Sequence, residues 1–244
     1  MRWYAERGRP SAAAFKTLAY SVARGRLCVV RRGVYAHVDS LDPWLIASRL
    51  TNDAVIAFDG ALSLFGLGGP SDRVSFLTAQ RTRTLVFNEW ILQPLRVDES
   101  ELWTEVMVLE RGGVEMRVTS LERTFIDCLR RLSRAPEVPA LVDAFCRART
   151  LDVDHLLRLA YLHGSRLLVS RLAFFLYAAG YELPMLTWLD LEHRGLRKPD
   201  YFVRSARTRN DRIIGKWSLI VTPEQFELFE QREQAVRLHR VAQL

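Results

Sequence analysis

Apolar residues fall at helical spacing early in the chain and change to strand spacing soon after. In "SAAAFKTLAYSVARG", Phe15, Leu18 and Val22 stand at i, i+3 and i+7 with alanines between them, the apolar stripe of a helix begun by Pro10 or Ser11. Gly25 stops it where a left-handed cap costs glycine least. "LCVV" and "VYAHV" then alternate as two strands around a bend at Arg31, Arg32 and Gly33, predicting a hairpin. Asp39, Ser40, Asp42 and Pro43 make the next break, so a boundary is expected near residue 40.

The larger remainder, 41–244, opens with helical patterns at "DPWLIASRLT" and "AVIAFDGALSLFGLGG", the second ended by glycines. Short strand-like runs follow from Val74 to Val118 ("RVSFLTA", "TLVFNEWIL", "EVMVLE", "VEMRVTS"), with Gly112 and Gly113 as a turn, and predict a small antiparallel sheet. Thr119, Ser120, Leu121 and Glu122 match a capping box and start a helix at "TSLERTFIDCLRR". Further helices are expected at Val138 to Arg149, Val153 to His163 and Arg166 to Ala179. A basic stretch from His193 to Lys216, a strand at "WSLIV" and an acidic helix opening at Thr222 and Pro223 complete an α+β fold.

Charge changes this picture because it is localised. The net charge is +7, and the segment from Met1 to Val38 alone holds eight Lys/Arg against one acid, Glu6, while the rest of the chain balances. A basic end on a neutral body suits a polyanion. With Phe15, Leu18 and Val22 turned inward, the outer helix face carries Lys16, Thr17, Tyr20, Ser21 and Arg24, side chains that donate to phosphates or reach base edges in a duplex groove. Arg26, Arg31 and Arg32 would hold the backbone from the hairpin. The basic run from His193 to Lys216 is either a second contact for an anionic partner or a solvated loop.

Cys28, Cys128 and Cys146 are odd in number and far apart, as expected of reduced thiols in the cytoplasm. The five histidines lack ligand spacing, so neither a metal nor another cofactor is expected. No signal-peptide pattern follows Met1, and "LLVSRLAFFLYAAG" is too short for a membrane span and broken by Arg171.

"RLCVVRRGVYAHV", "DPWLIASRL", "AVIAFDGALSLFGL" and "VTSLERTFIDCL" resemble, in order and spacing, the successive blocks of the AbiEi family, antitoxins of type IV toxin–antitoxin systems. The "RRGVY" turn and "TSLERTFIDCL" are the most specific of these. The resemblance implies an N-terminal winged helix-turn-helix that represses the system's own promoter on double-stranded DNA. It also implies a C-terminal domain needed for antitoxin activity against a nucleotidyltransferase toxin. About ten residues precede the recognition-like helix, fewer than a first helix needs, so the winged helix within 1–40 is expected to be partial.

Two enzyme motifs are approached without being completed. "GLGGPSDRV" approaches a nucleotidyltransferase signature, but Val74 stands where the second metal-binding Asp belongs. The glycines then read as a helix stop. Pro199, Asp200 and Lys216 approach a nuclease motif with Ile214 in place of an acid. Arg123 and Asp127, at i and i+4, are expected to pair beside a buried Cys128. A binding protein without catalysis is the expectation.

Overall fold

The structure is a computed structural model that describes residues 11–69, 71–203 and 208–241. The chain divides into two interleaved compact units, one comprising the described residues up to Ile56 together with Asp72–Val118, the other Ala57–Ser71 and the described residues from Thr119 onward. The helix and hairpin expected to stand alone to residue 40 therefore belong to a larger unit. A lone helix and two strands bury too little apolar surface to be stable by themselves.

The first unit starts with helix α1 (Ser11–Ala23). Its end matches the expectation for Gly25, which takes φ +66 while Gly25 N donates to Val22 O and Arg26 N to Ser21 O, a Schellman closure. Strands β1 (Leu27–Arg31) and β2 (Val34–His37) pair antiparallel across Arg32 and Gly33, with a bulge between Val29 and Arg31. Helix α2 (Pro43–Ala47) is capped by Asp42, whose carboxylate accepts from Trp44 N and Leu45 N.

The sheet of this unit has six strands: β3 (Val55–Ile56), β4 (Arg73–Thr78), β5 (Leu85–Phe87), β6 (Trp90–Arg96), β7 (Val106–Arg111) and β8 (Val114–Thr119), in the order β5-β6-β4-β3-β8-β7. It is mixed rather than antiparallel, since β4 pairs parallel with β6 and β3 parallel with β8. Short apolar strands carry no mark of their direction, and a two-residue β3 inserted at the centre was read as the start of a helix. "TLVFNEWIL" also divides into two strands at Asn88, whose φ of +51 permits a tight turn. A short helix α4 (Glu99–Leu102) packs on β4, as does α2.

The second unit is mostly helical: α3 (Phe58–Leu64), α5 (Leu121–Arg130), α6 (Val138–Arg147), α7 (Val153–Leu162), α8 (Arg166–Ala178), α9 (Met185–Arg194) and α10 (Pro223–Val241). Strands β9 (Asp200–Tyr201), β10 (Arg212–Ile214) and β11 (Leu219–Val221) form a small sheet in the order β10-β11-β9. The buried rings form one run of contacts, Phe125–Phe145–Phe175–Phe174–Phe202, with centroids 4.0 Å apart for the tilted Phe125–Phe145 pair and 4.9 Å for the edge-on Phe174–Phe202 pair. Arg171 lies buried in α8 because its guanidinium answers main-chain acceptors, Phe202 O at 2.9 Å and Leu129 O at 2.8 Å.

The helix starts as expected at α5, but the capping box of Thr119 and Glu122 does not form, because the cap is Ser120. Ser120 Oγ accepts from Arg123 N at 3.2 Å, while the Glu122 carboxylate reaches Asp152 N at 2.9 Å. At the end of α3 the glycines do what a helix stop requires: Gly66 takes φ +72, Leu67 N returns to Leu62 O, and Arg147 donates to the carbonyls of Gly66 and Leu67. Among the described residues no helix is long and apolar enough to cross a membrane.

Candidate nucleic-acid interface

Helix α1 packs on β1 through a different stripe from the one its large apolar residues suggest. Ala14 is fully buried, Leu18, Ser21 and Val22 are half-buried, and Phe15 is 53% exposed. Against so thin a partner as one hairpin, a small residue lets the helix sit close, and the stripe rotates by one position. Phe15, expected inside, thus joins the outer surface.

The polar face keeps its expected composition. Lys16, Tyr20 and Arg24 stand at i, i+4 and i+8 and are all exposed, so they form one row along the helix. At 1.5 Å per residue the row spans about 12 Å, comparable to the width of the major groove of B-DNA. The Arg24 guanidinium lies 5.3 Å from the centroid of the Tyr20 ring, which holds the flat cation over the helix rather than leaving it free to swing. Thr17 is exposed beside this row, whereas Ser21 turns its hydroxyl back to donate to Thr17 O at 2.9 Å. Ser21 thus sits at the edge of the face, its donor in use within the helix.

The hairpin arginines separate into two kinds. Arg26 and Arg32 are exposed, the second on the turn beside Gly33, which has φ +84. Arg31 points the other way. Its guanidinium donates to Leu50 O and, at 3.1 Å, to Thr82 Oγ1. It shares this use with Arg49, which donates to Glu115 O at 2.7 Å, and Arg117, which donates to Asn52 O at 3.0 Å. Arg31 therefore clamps the hairpin to the first unit and is corrected from a phosphate contact to an internal support. The sequence alone could not separate Arg31 from Arg32, because the bulge that aims them apart leaves no mark in composition.

The second basic run is largely committed as well. Arg194 pairs with Asp190 at 2.8 Å, and Lys216 lies 3.6 Å from Glu192 among the rings of Tyr177, Trp188 and Trp217. Arg212 lies over Phe226. Arg197, Lys198 and Arg209 remain exposed, and Arg204 and Arg207 lie outside the described residues. Asp190 and Glu192, both on α9, supply the offsetting charge.

Val74 is buried in β4 and Ile214 in β10. Arg123 Nε and Asp127 Oδ2 are 2.8 Å apart, as expected from their spacing, with both side chains buried. Burial raises the Cys128 thiol well above its ordinary range, and the carboxylates of Asp127 and Asp59 add to this. Such a thiol is a poor nucleophile. Among the described residues no group of three or more His, Cys, Asp or Glu is placed to hold a metal ion.

No family model matches the chain, and no curated protein sequence does. Among solved structures the chain is similar to the RV2827C protein from Mycobacterium tuberculosis, with a TM-score of 0.60 and 16% identity over 94% of this chain and 84% of that one. At this identity the likeness speaks for a shared fold, an α+β arrangement that extends over nearly the whole length.

Proposed function

We propose that this protein is a DNA-binding antitoxin of the AbiEi type, working in the cytoplasm as repressor of its own operon and as counterpart of a nucleotidyltransferase toxin. The observation that carries the reading is the exposed row Lys16, Tyr20 and Arg24 on α1, flanked by Thr17, Arg26 and Arg32. Lysine and arginine neutralise phosphates and give affinity on any duplex, while Thr17 and Tyr20 are the side chains of this face suited to base edges. The resemblance of the "RRGVY" turn and the "TSLERTFIDCL" block to the AbiEi antitoxins supports the second half of the proposal.

The test is fluorescence anisotropy with the duplex upstream of the protein's own reading frame and with a scrambled duplex, over a series of salt concentrations. Lys16→Ala and Arg24→Ala should each weaken binding on both duplexes and reduce the salt slope by about one. Thr17→Ala should narrow the difference between the duplexes. Salt slopes unchanged by Lys16→Ala and Arg24→Ala overturn the interface. Failure to restore growth when co-expressed with a nucleotidyltransferase toxin of the AbiEi-type systems overturns the antitoxin assignment.

A further inference from the structure

Within the second unit a cavity of about 360 Å3 opens beside the start of α8, lined by Tyr161, Ser165, Arg166, Val169, His193 and Arg194 among others. Two guanidiniums and an imidazole face this space, and no carboxylate lines it. The cations are held in place rather than loose. Arg194 Nε donates to both oxygens of Asp190, at 2.8 and 2.9 Å, and its guanidinium lies 4.5 Å from the centroid of the Tyr161 ring. Arg166 Nη1 donates to Gly195 O at 3.1 Å, so it is tied to the end of α9. A guanidinium has five N–H donors, and these contacts leave most of both forks available.

The charges around Arg194 show how firmly it is set. Partial burial of Asp190 works against its charge, but the hydrogen bonds and charge of Arg194 outweigh this and hold its carboxyl below the ordinary range. Burial raises the Tyr161 hydroxyl, with the nearby negative charge of Asp190 adding to it, so the phenol keeps its proton. Asp190 is thus an anion that orients Arg194 from outside the cavity.

We propose that this cavity binds a small phosphate monoester. Rigid arginine forks match the oxygens of a phosphate, and the apolar walls at Tyr161 and Val169 leave room for an organic substituent. A volume near the lower end of small-molecule pockets, about 300–1,000 Å3, limits that substituent to a compact one. The larger cavity, about 1000 Å3 beside Tyr177 and Trp188, lacks this character because Lys216 already lies against its rings and Glu192. The proposal is independent of the DNA-binding reading, which concerns α1.

The experiment is isothermal titration calorimetry of the full chain with inorganic phosphate and with AMP at constant ionic strength. Wild type is compared with Arg166→Gln, Arg194→Gln and His193→Ala, each checked by thermal melting without ligand. One saturable site is expected, weakened about tenfold by either arginine substitution, the loss of one charge-assisted hydrogen bond, and less by His193→Ala. Lys16→Ala with Arg24→Ala should leave it unchanged. In that double variant, competition by a short DNA duplex assigns the phosphate to a nucleic-acid backbone, and lack of competition assigns it to a free monoester. Absence of saturable binding overturns the site, as does undiminished binding in Arg194→Gln and His193→Ala proteins that melt like wild type.

Discussion

Arg31 Nη1 lies 3.1 Å from Thr82 Oγ1, joining the tip of an N-terminal hairpin to a loop of the six-stranded sheet unit. The same guanidinium takes the Leu50 carbonyl, so one side chain anchors the hairpin from two directions. Arg32, its neighbour, is exposed.

Arg31→Ala should therefore lower the stability of the protein by about 1–3 kcal/mol, the cost of stranding polar partners of a charged group. Arg32→Ala should change it by less than about 0.5 kcal/mol. Urea denaturation measures both. In anisotropy the order reverses: Arg32→Ala reduces the salt slope on DNA, whereas folded Arg31→Ala protein retains the wild-type slope.

The buried pair of Arg123 and Asp127 gives a second expectation. Replacing Asp127 by Ala removes the carboxylate that a guanidinium only 2% exposed donates to at 2.8 Å. A loss of about 3–5 kcal/mol is expected from denaturant unfolding. The double replacement Arg123→Met with Asp127→Leu should recover most of that loss, since the buried guanidinium goes with its partner and Arg130, which also faces Asp127, is only partly buried and can be solvated. A double variant as unstable as Asp127→Ala alone contradicts this account.

Asp53 sets a pH dependence. Its partial burial favours the neutral acid, but hydrogen bonds from Thr78 and the amide of Ala79 outweigh that and lower its pKa. Thr78 Oγ1 donates at 2.7 Å and Ala79 N at 2.8 Å. A carboxylate with a depressed folded pKa contributes stability above its unfolded value of about 3.9 and loses it as pH falls through the folded value. Asp53→Ala should be less stable than wild type by about 1 kcal/mol at neutral pH, a modest figure because solvent screens the site. The gap should close in strong acid, and a gap independent of pH would exclude the carboxylate as its source.

Thiol labelling separates the three cysteines. Cys146 is exposed and Cys28 half-buried, whereas Cys128 is buried in α5. A disulfide reagent should modify Cys146 and, more slowly, Cys28 in the native protein, and Cys128 only at the rate of unfolding. Fast labelling of Cys128, mapped by mass spectrometry, would show that α5 opens locally.

Elements whose signal is local were legible in the sequence. The glycine-closed end of α1, the Gly112–Gly113 turn, the helices α6 to α8 and the Arg123–Asp127 pair each follow from spacing within a few residues. Features set by distant partners were not. Strand β3 is too short to announce itself, and its place in the sheet depends on β4 and β8. Helix α9 was missed because Met185, Leu186 and Leu189 are largely exposed, so its apolar residues do not mark a buried face. In the proposed interface, sequence placed Lys16, Thr17, Tyr20, Arg24, Arg26 and Arg32 on the surface. It failed for Arg31, whose partners lie 19 and 51 residues away.

The interleaving of the two units bears on how the chain acquires its structure during synthesis. Helix α3 leaves the ribosome early, yet it packs on α5, which emerges only after the intervening sheet strands. Strand β3 must likewise wait for β8. A nascent chain halted before Thr119 therefore holds every residue of the first unit but only α3 and its flanks from the second, and this apolar helix stays open to chaperones until translation resumes.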